Sequence, residues 1–136
     1  MSFRERSAWA MAAVLLVTGL LYLQIALGHS AEGSTEIHDL VHWVILVIIG
    51  SIIVQVALAI ASRKEAKLPA DERERIAIYR AGNWSGIVMA VCAVSGALNY
   101  LVHGNGDILF HSVIGSLVAA QFADYAFQIY FFRRGA

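Results

Sequence analysis

Four long apolar stretches constrain this chain more than anything else in it: Trp9 to Leu27, Val41 to Ala61, Trp84 to Val102 and Ile108 to Phe132. Each is close to the roughly 20 residues that a helix needs to cross about 30 Å of hydrocarbon. Lipid offers no partners to unpaired backbone groups, so a spanning segment must be a helix or part of a closed barrel, and these runs lack the alternation of a barrel strand. The expectation is an all-α integral membrane protein, a four-helix bundle forming one membrane domain over residues 1–136. The composition agrees, with 59% hydrophobic against 15% charged residues, far from the soluble average.

Charge placement orients the spans. Arg4 and Arg6 precede the first, Arg63, Lys64, Lys67, Arg73, Arg75 and Arg80 lie between the second and third, and Arg133 and Arg134 follow the fourth. By the positive-inside rule that side is cytoplasmic, which puts both termini and the loop 63–80 inside and the loops 28–40 and 103–107 outside. Trp9, Trp43 and Trp84 are read as interfacial anchors at span ends. Arg4, Arg6 and the small residues Ala26 and Gly28 also sketch a signal peptide, but the apolar run is longer than a usual signal core.

The chain shows internal similarity. Trp9 and Gln24 align with Trp84 and Asn99 at one offset, with His29 against His103 after a one-residue gap; His42 and Gln55 align with His111 and Asp124 at another. Two repeated helical hairpins, related by an axis along the membrane normal, would produce this. Gly82, Gly86, Ala90, Ala93 and Ala97 before and within span 3, and Gly115, Ala119 and Ala123 in span 4, predict close packing of those two helices through small residues. Between them, His103-Gly-Asn-Gly-Asp107 suits a tight reversal, with Asp107 expected to cap span 4. Pro69 breaks the chain, and Asp71 is expected to start a helix running through Glu72 and Glu74 into span 3.

Two groups of residues carry candidate chemistry. The five histidines, His29, His38, His42, His103 and His111, all lie in or beside the outer loops, opposite every Lys and Arg. His38 and His42 share a helix face at a spacing that a transition-metal site, zinc or copper, can use, with Glu32, Glu36, Asp39 and Asp107 near enough in sequence to help. His42 and His111 offer a second version, two axial ligands of haem b held between helices. The plainest reading is that these histidines are interfacial or structural, since no His-Glu-x-x-His or cysteine ligand motif accompanies them. Cys92, the single cysteine, lies in an apolar run and reads as packing.

Asp124 is the only acidic residue well inside a span, where charge is costly. Gln121 and Gln128 share its side of the helix, and Gln55 sits at similar depth on span 2. It reads as a proton or cation site of a small transporter or, more simply, as polar glue between helices or a partner of Arg80. A single conduit from His111 to Asp124 is disfavoured, because 13 helical steps leave them about 140° apart; His111 instead points along Gly115, Val118, Phe122 and Tyr125.

Phosphate loops, nucleophile elbows and the basic-aromatic pattern of nucleic-acid recognition are absent. The opening Phe3-Arg-Glu-Arg-Ser-Ala-Trp9 and the segment Asp71-Glu-Arg-Glu-Arg-Ile76, leading through Arg80 into span 3, resemble a group of small, uncharacterised four-span bacterial inner-membrane proteins. The resemblance implies a bacterial cytoplasmic membrane location, supplies no catalytic residues and implies no established activity. The expected function is that of a non-enzymatic accessory or interaction protein, working as a homo-oligomer or with a membrane-protein partner, with the metal or haem binder and the Asp124 transporter as alternatives.

Overall fold

The computed structural model describes residues 3–29, 37–62, 69 and 71–134, with the side chains at 25–29 and 37–40 outside the described set. Four helices account for nearly all of it: α1 (Phe3–His29), α2 (Ile37–Ala61), α3 (Glu72–His103) and α4 (Gly106–Arg134). All four are long and apolar enough to cross a membrane, which makes this an all-helical, multi-pass membrane protein. At 32 residues, α3 is the longest. It runs roughly 48 Å at 1.5 Å per residue, so it reaches well beyond the hydrocarbon.

Local chemistry explains the helix ends. Asp71 caps α3 as expected: its carboxylate accepts from the Glu72 backbone N–H at 2.8 Å, and the Asp71 N–H donates to the Glu74 carboxylate at 3.3 Å in a reciprocal capping box. Gly104 ends α3 with φ of 66°, a left-handed conformation that glycine adopts without strain, and its N–H donates to the Tyr100 carbonyl at 2.7 Å. The start of α4 corrects the sequence reading. Asn105, not Asp107, is the cap: its Oδ1 accepts from the backbone N–H of Asp107 at 3.0 Å and of Ile108 at 3.3 Å. An Asn one residue before the helix reaches those orphan donors, whereas Asp107 is already inside the first turn.

Contacts between α3 and α4 are the most extensive; α4 then packs on α1, and α1 on α2. The helices therefore follow the spatial order α3, α4, α1, α2, and α2 has one principal neighbour. The predicted close approach of α3 and α4 is present, with Ala93 of α3 and Ala119 and Ala123 of α4 half-buried, but the glycines expected to make it on α3 do not. Gly96 faces Ser112, and a Cβ on Gly96 would lie 2.5 Å from the Ser112 Cβ. Ala77, Ala81, Ser116 and Ala120 are buried, while Gly82, Gly86, Ala90 and Ala97 are exposed. Nothing lies within 4 Å of a Cβ built on Gly82, Gly86 or Gly115. The spacing found two runs of small residues but could not tell which turned inward; around α3, Gly82 lies about 100° from buried Ala81 and about 40° from buried Gly96.

Trp84 stands at the start of span 3 but not of its helix. Because α3 begins at Glu72, Trp84 falls within the helix, where its ring packs against Phe127 of α4 at 6.1 Å. Hydroxyls at membrane depth are satisfied by their own helices, as lipid demands: Ser95 donates to the Val91 carbonyl at 2.8 Å and Ser112 to the Ile108 carbonyl at 2.7 Å.

At one end of the bundle the basic residues gather. Arg4 of α1 pairs with Glu74 of α3 at 3.2 Å, Arg133 of α4 with Glu5 of α1 at 3.4 Å, and the Arg133 guanidinium lies 5.4 Å from the centre of the Trp9 ring. Just inside this basic end, Ala8 and Ala12 of α1 pack with Ile129 of α4, flanked by Tyr125 and Phe132. The opposite, histidine end holds the site.

Candidate functional site

The site starts from α1, where Thr18, Gly19 and Tyr22 fall on one side within a single helical turn. Thr18 donates to the Val14 carbonyl at 2.8 Å, so its hydroxyl needs nothing from outside the helix. Its own carbonyl accepts the Trp43 indole N–H of α2 at 2.8 Å. Trp43 is thus a clamp between α1 and α2 as well as an aromatic near a span end, and its ring lies 4.8 Å from that of Tyr22.

Tyr22 is 6% exposed and reaches across to α4, where its hydroxyl lies 2.8 Å from His111 Nδ1. With His111 protonated on Nε2, the phenol donates to Nδ1; with the proton on Nδ1, the imidazole donates to the phenol oxygen. Either arrangement satisfies the buried Tyr22 hydroxyl and one nitrogen of the half-buried His111 without placing a charge in the membrane. The His111 ring also sits edge-on to Phe110, with centroids 5.6 Å apart.

Below this pair, towards the middle of the bundle, α1 and α4 separate around a cavity of about 350 Å³. Tyr22 and His111 close one end; Leu15, Gly19, Gly115 and Phe122 are among the residues that line the rest. Gly19 marks the close approach beside it, since a Cβ there would lie 3.2 Å from Val118 Cγ1. The rim residues Leu16, Leu20 and Leu23 are about half exposed, so the groove opens sideways. The alignment of His111 with Gly115, Val118 and Phe122, read from helical spacing, is realised in its wall.

His103 lies 3.2 Å from the Asn99 carbonyl and is exposed; His42 is exposed near the start of α2. The side chains of His29, His38 and Asp39, and the residues Glu32 and Glu36, lie outside the described residues. Among the described residues, no three His, Cys, Asp or Glu side chains come together as metal ligands. Tyr22 joins Trp43, the neighbour of His42 on α2, to His111 on α4.

A second polar feature lies nearer the basic end. Asp124 accepts from the Gln128 amide N–H at 2.9 Å through Oδ2, while its Oδ1 is buried and has no hydrogen-bond partner among the described residues. Gln121 is exposed on the same side of α4. Gln55 does not join them: its Oε1 accepts from the Ser7 hydroxyl of α1 at 3.1 Å. Arg80 is exposed, and the described partner of Asp124 is Gln128.

Contacts on α4 fix which way this polar stripe faces. His111, Val118 and Ile129 meet α1, whereas Ser112 and Phe127 meet α3. Helical geometry places Gln128 about 100° from both His111 and Phe127, with Asp124 and Gln121 within about 60° of each other beside it. The stripe therefore lies along the side of α4 between its two described neighbours.

Sequence reasoning missed Tyr22, Thr18 and Trp43 as members of a site. The available signal was a threonine and a tyrosine one turn apart, beside a glycine, inside an otherwise aliphatic span. No protein-family model matches the chain, and neither a curated protein nor a solved structure aligns with it significantly.

Proposed function

We propose that this chain is a non-enzymatic accessory protein of the bacterial cytoplasmic membrane, which assembles with another membrane-embedded helix through the polar stripe on α4. The observation that carries the reading is Asp124, whose Oδ1 is buried with no hydrogen-bond partner among the described residues, beside the half-buried Gln128 and the exposed Gln121 on the side of α4 between its contacts with α1 and α3. The residue lies about 15 Å from the basic end of a helix roughly 43 Å long, well inside the hydrocarbon. Polar groups at such depth turn towards protein, where hydrogen bonds between helices each contribute about 0.6 kcal/mol and up to about 2 kcal/mol. The exposed Gln121 amide, beside this carboxyl, is the group that a partner helix meets.

Both termini and the loop 63–80 face the cytoplasm in this reading, because every Lys and Arg lies on that side. The resemblance of the Phe3–Trp9 and Asp71–Ile76 segments to small bacterial inner-membrane proteins supports the same location. The hairpin duplication fits the sequence alignment but leaves its two halves unequally packed, since α3 and α4 meet much more closely than α1 and α2.

The test is the size of the protein purified in mild detergent from membranes with native expression. Wild type elutes as an assembly larger than the 14.8 kDa chain with its detergent, and Asp124→Leu elutes as the monomer. A monomeric wild type overturns the reading.

The histidine end supports a second reading, a binding site, through the partly buried Tyr22–His111 pair. A transition metal such as zinc or copper, or haem b, would have to displace Tyr22 to use His111 Nδ1. Use of Asp124 as a proton or cation site gains less support, because Asp124 and His111 occupy different sides of α4 and the cavity follows His111 alone.

A further inference from the structure

We infer that the groove between α1 and α4 binds a lipid-soluble quinone, its ring head at the Tyr22–His111 pair and its chain along the leucines of α1. The inference is independent of the stripe on α4 and begins from the shape of the site.

The cavity has one polar end and apolar walls. Of its lining, Tyr22 and His111 alone carry hydrogen-bonding side chains, and they sit together at the histidine end. Pockets that orient a small molecule have this composition, largely apolar with a few convergent polar groups. The half-exposed Leu16, Leu20 and Leu23 at the rim mean that the way in is sideways through the bilayer, so the occupant comes from the lipid phase. About 350 Å³ is room for one ring and a short length of chain, and too little for the two acyl chains of a phospholipid.

The polar pair selects the head group. With the imidazole proton on Nδ1, His111 donates to the phenol oxygen, and the Tyr22 O–H is released to donate to a carbonyl. With the proton on Nε2, the phenol donates to His111, and the Tyr22 oxygen keeps a lone pair that accepts from a hydroxyl. One neutral pair thus matches both forms of the same molecule, the carbonyl of a quinone and the hydroxyl of a quinol, and neither puts a charge in the membrane. An alkyl chain has no use for such a pair. Aromatic neighbours complete the seat: Tyr22 stacks at a tilt on Trp43 with centroids 4.8 Å apart, and Phe122 lines the wall.

Trp43 is also the reporter, because a quinone held at Tyr22 lies close enough to quench its fluorescence. The experiment uses the full chain in lipid nanodiscs with Trp9→Phe and Trp84→Phe, leaving Trp43 as the only tryptophan. The probe is a benzoquinone with a two-isoprene tail. The expected result is saturable quenching of Trp43, with half-saturation shifted about three- to tenfold upwards by Tyr22→Phe, the scale of one lost hydrogen bond. Gly115→Leu, which has open space to fill, shifts it by a similar amount while leaving the helix content and the Tyr22–His111 pair intact.

A matching protein that keeps only Trp84 serves as the control and shows the unsaturable quenching of a probe dissolved in lipid. Three results overturn the proposal: quenching of Trp43 that rises linearly like that of Trp84, saturation unmoved by Gly115→Leu, or saturable quenching relieved equally well by a saturated alcohol of the same chain length.

Discussion

Tyr22 and His111 lie 89 residues apart in sequence, and their side chains meet at 2.8 Å across the contact between α1 and α4. This bond and the Ala8, Ala12 and Ile129 cluster near the other end hold the first hairpin to the second. Replacing Tyr22 with Phe keeps the ring against Trp43 and removes only the hydroxyl. The expected loss is about 0.5 to 2 kcal/mol, measured by reversible unfolding in mixed micelles. In a double-mutant cycle with His111→Leu, the two losses are less than additive; full additivity would mean that the pair does not couple the helices.

Gly96 predicts a sharper effect. Any Cβ there meets Ser112 at 2.5 Å, so Gly96→Val forces α3 and α4 apart and costs about 1 to 3 kcal/mol. Gly86→Ala, on the exposed side of the same helix, is close to neutral or slightly stabilising because alanine favours helix. Thermal unfolding of the two variants in the same detergent ranks them; equal midpoints would contradict the assigned faces.

The α1–α2 contact is checked by chemistry. Ser7 and Gln55 are bonded at 3.1 Å through a glutamine side chain longer than a cysteine's, so Ser7→Cys and Gln55→Cys, introduced together with Cys92→Ala, should be joined by a short bifunctional thiol crosslinker. Ser7→Cys paired with Ile53→Cys should not, because Ile53 is 61% exposed and lies about 160° around α2 from Gln55. Mobility on non-reducing gels after a single proteolytic cut between the helices reads the result.

Asp71 tests the start of α3 separately from the membrane core. Asp71→Ala removes the capping box and should cost about 1 kcal/mol of local helix stability, seen as faster amide exchange over residues 72–75. The Arg4–Glu74 pair, with its partly exposed side chains, contributes little beyond this, and that small part fades with added salt.

Span number, helix type and the Asp71 cap were legible because each follows from a local rule: length against hydrocarbon thickness, backbone satisfaction in lipid, and a side-chain acceptor beside orphan N–H groups. The direction in which His111 runs along Gly115 and Phe122 followed equally from helical periodicity. What could not be read was which face of each helix meets which neighbour. Gly82 and Gly86 looked like the packing stripe of α3, yet Ala77, Ala81 and Gly96 are buried instead, because small residues permit close approach on any side that carries them. Gln55 resembled a partner for Asp124 by depth, but depth says nothing about azimuth, and α2 packs on the side of α1 that brings Gln55 to Ser7. Tyr22 escaped notice for a related reason: its meaning comes from His111, a residue of another hairpin.

The central claim is that protein, not lipid, covers the Gln121–Asp124–Gln128 side of α4. The most direct measurement places a photo-crosslinking amino acid at Gln121 in intact cells, with Val94, 58% exposed on α3, as the reference position. The account predicts a discrete protein adduct from position 121, none from position 94, and loss of the adduct when Asp124→Leu is added. Equal lipid-only labelling at both positions would contradict it.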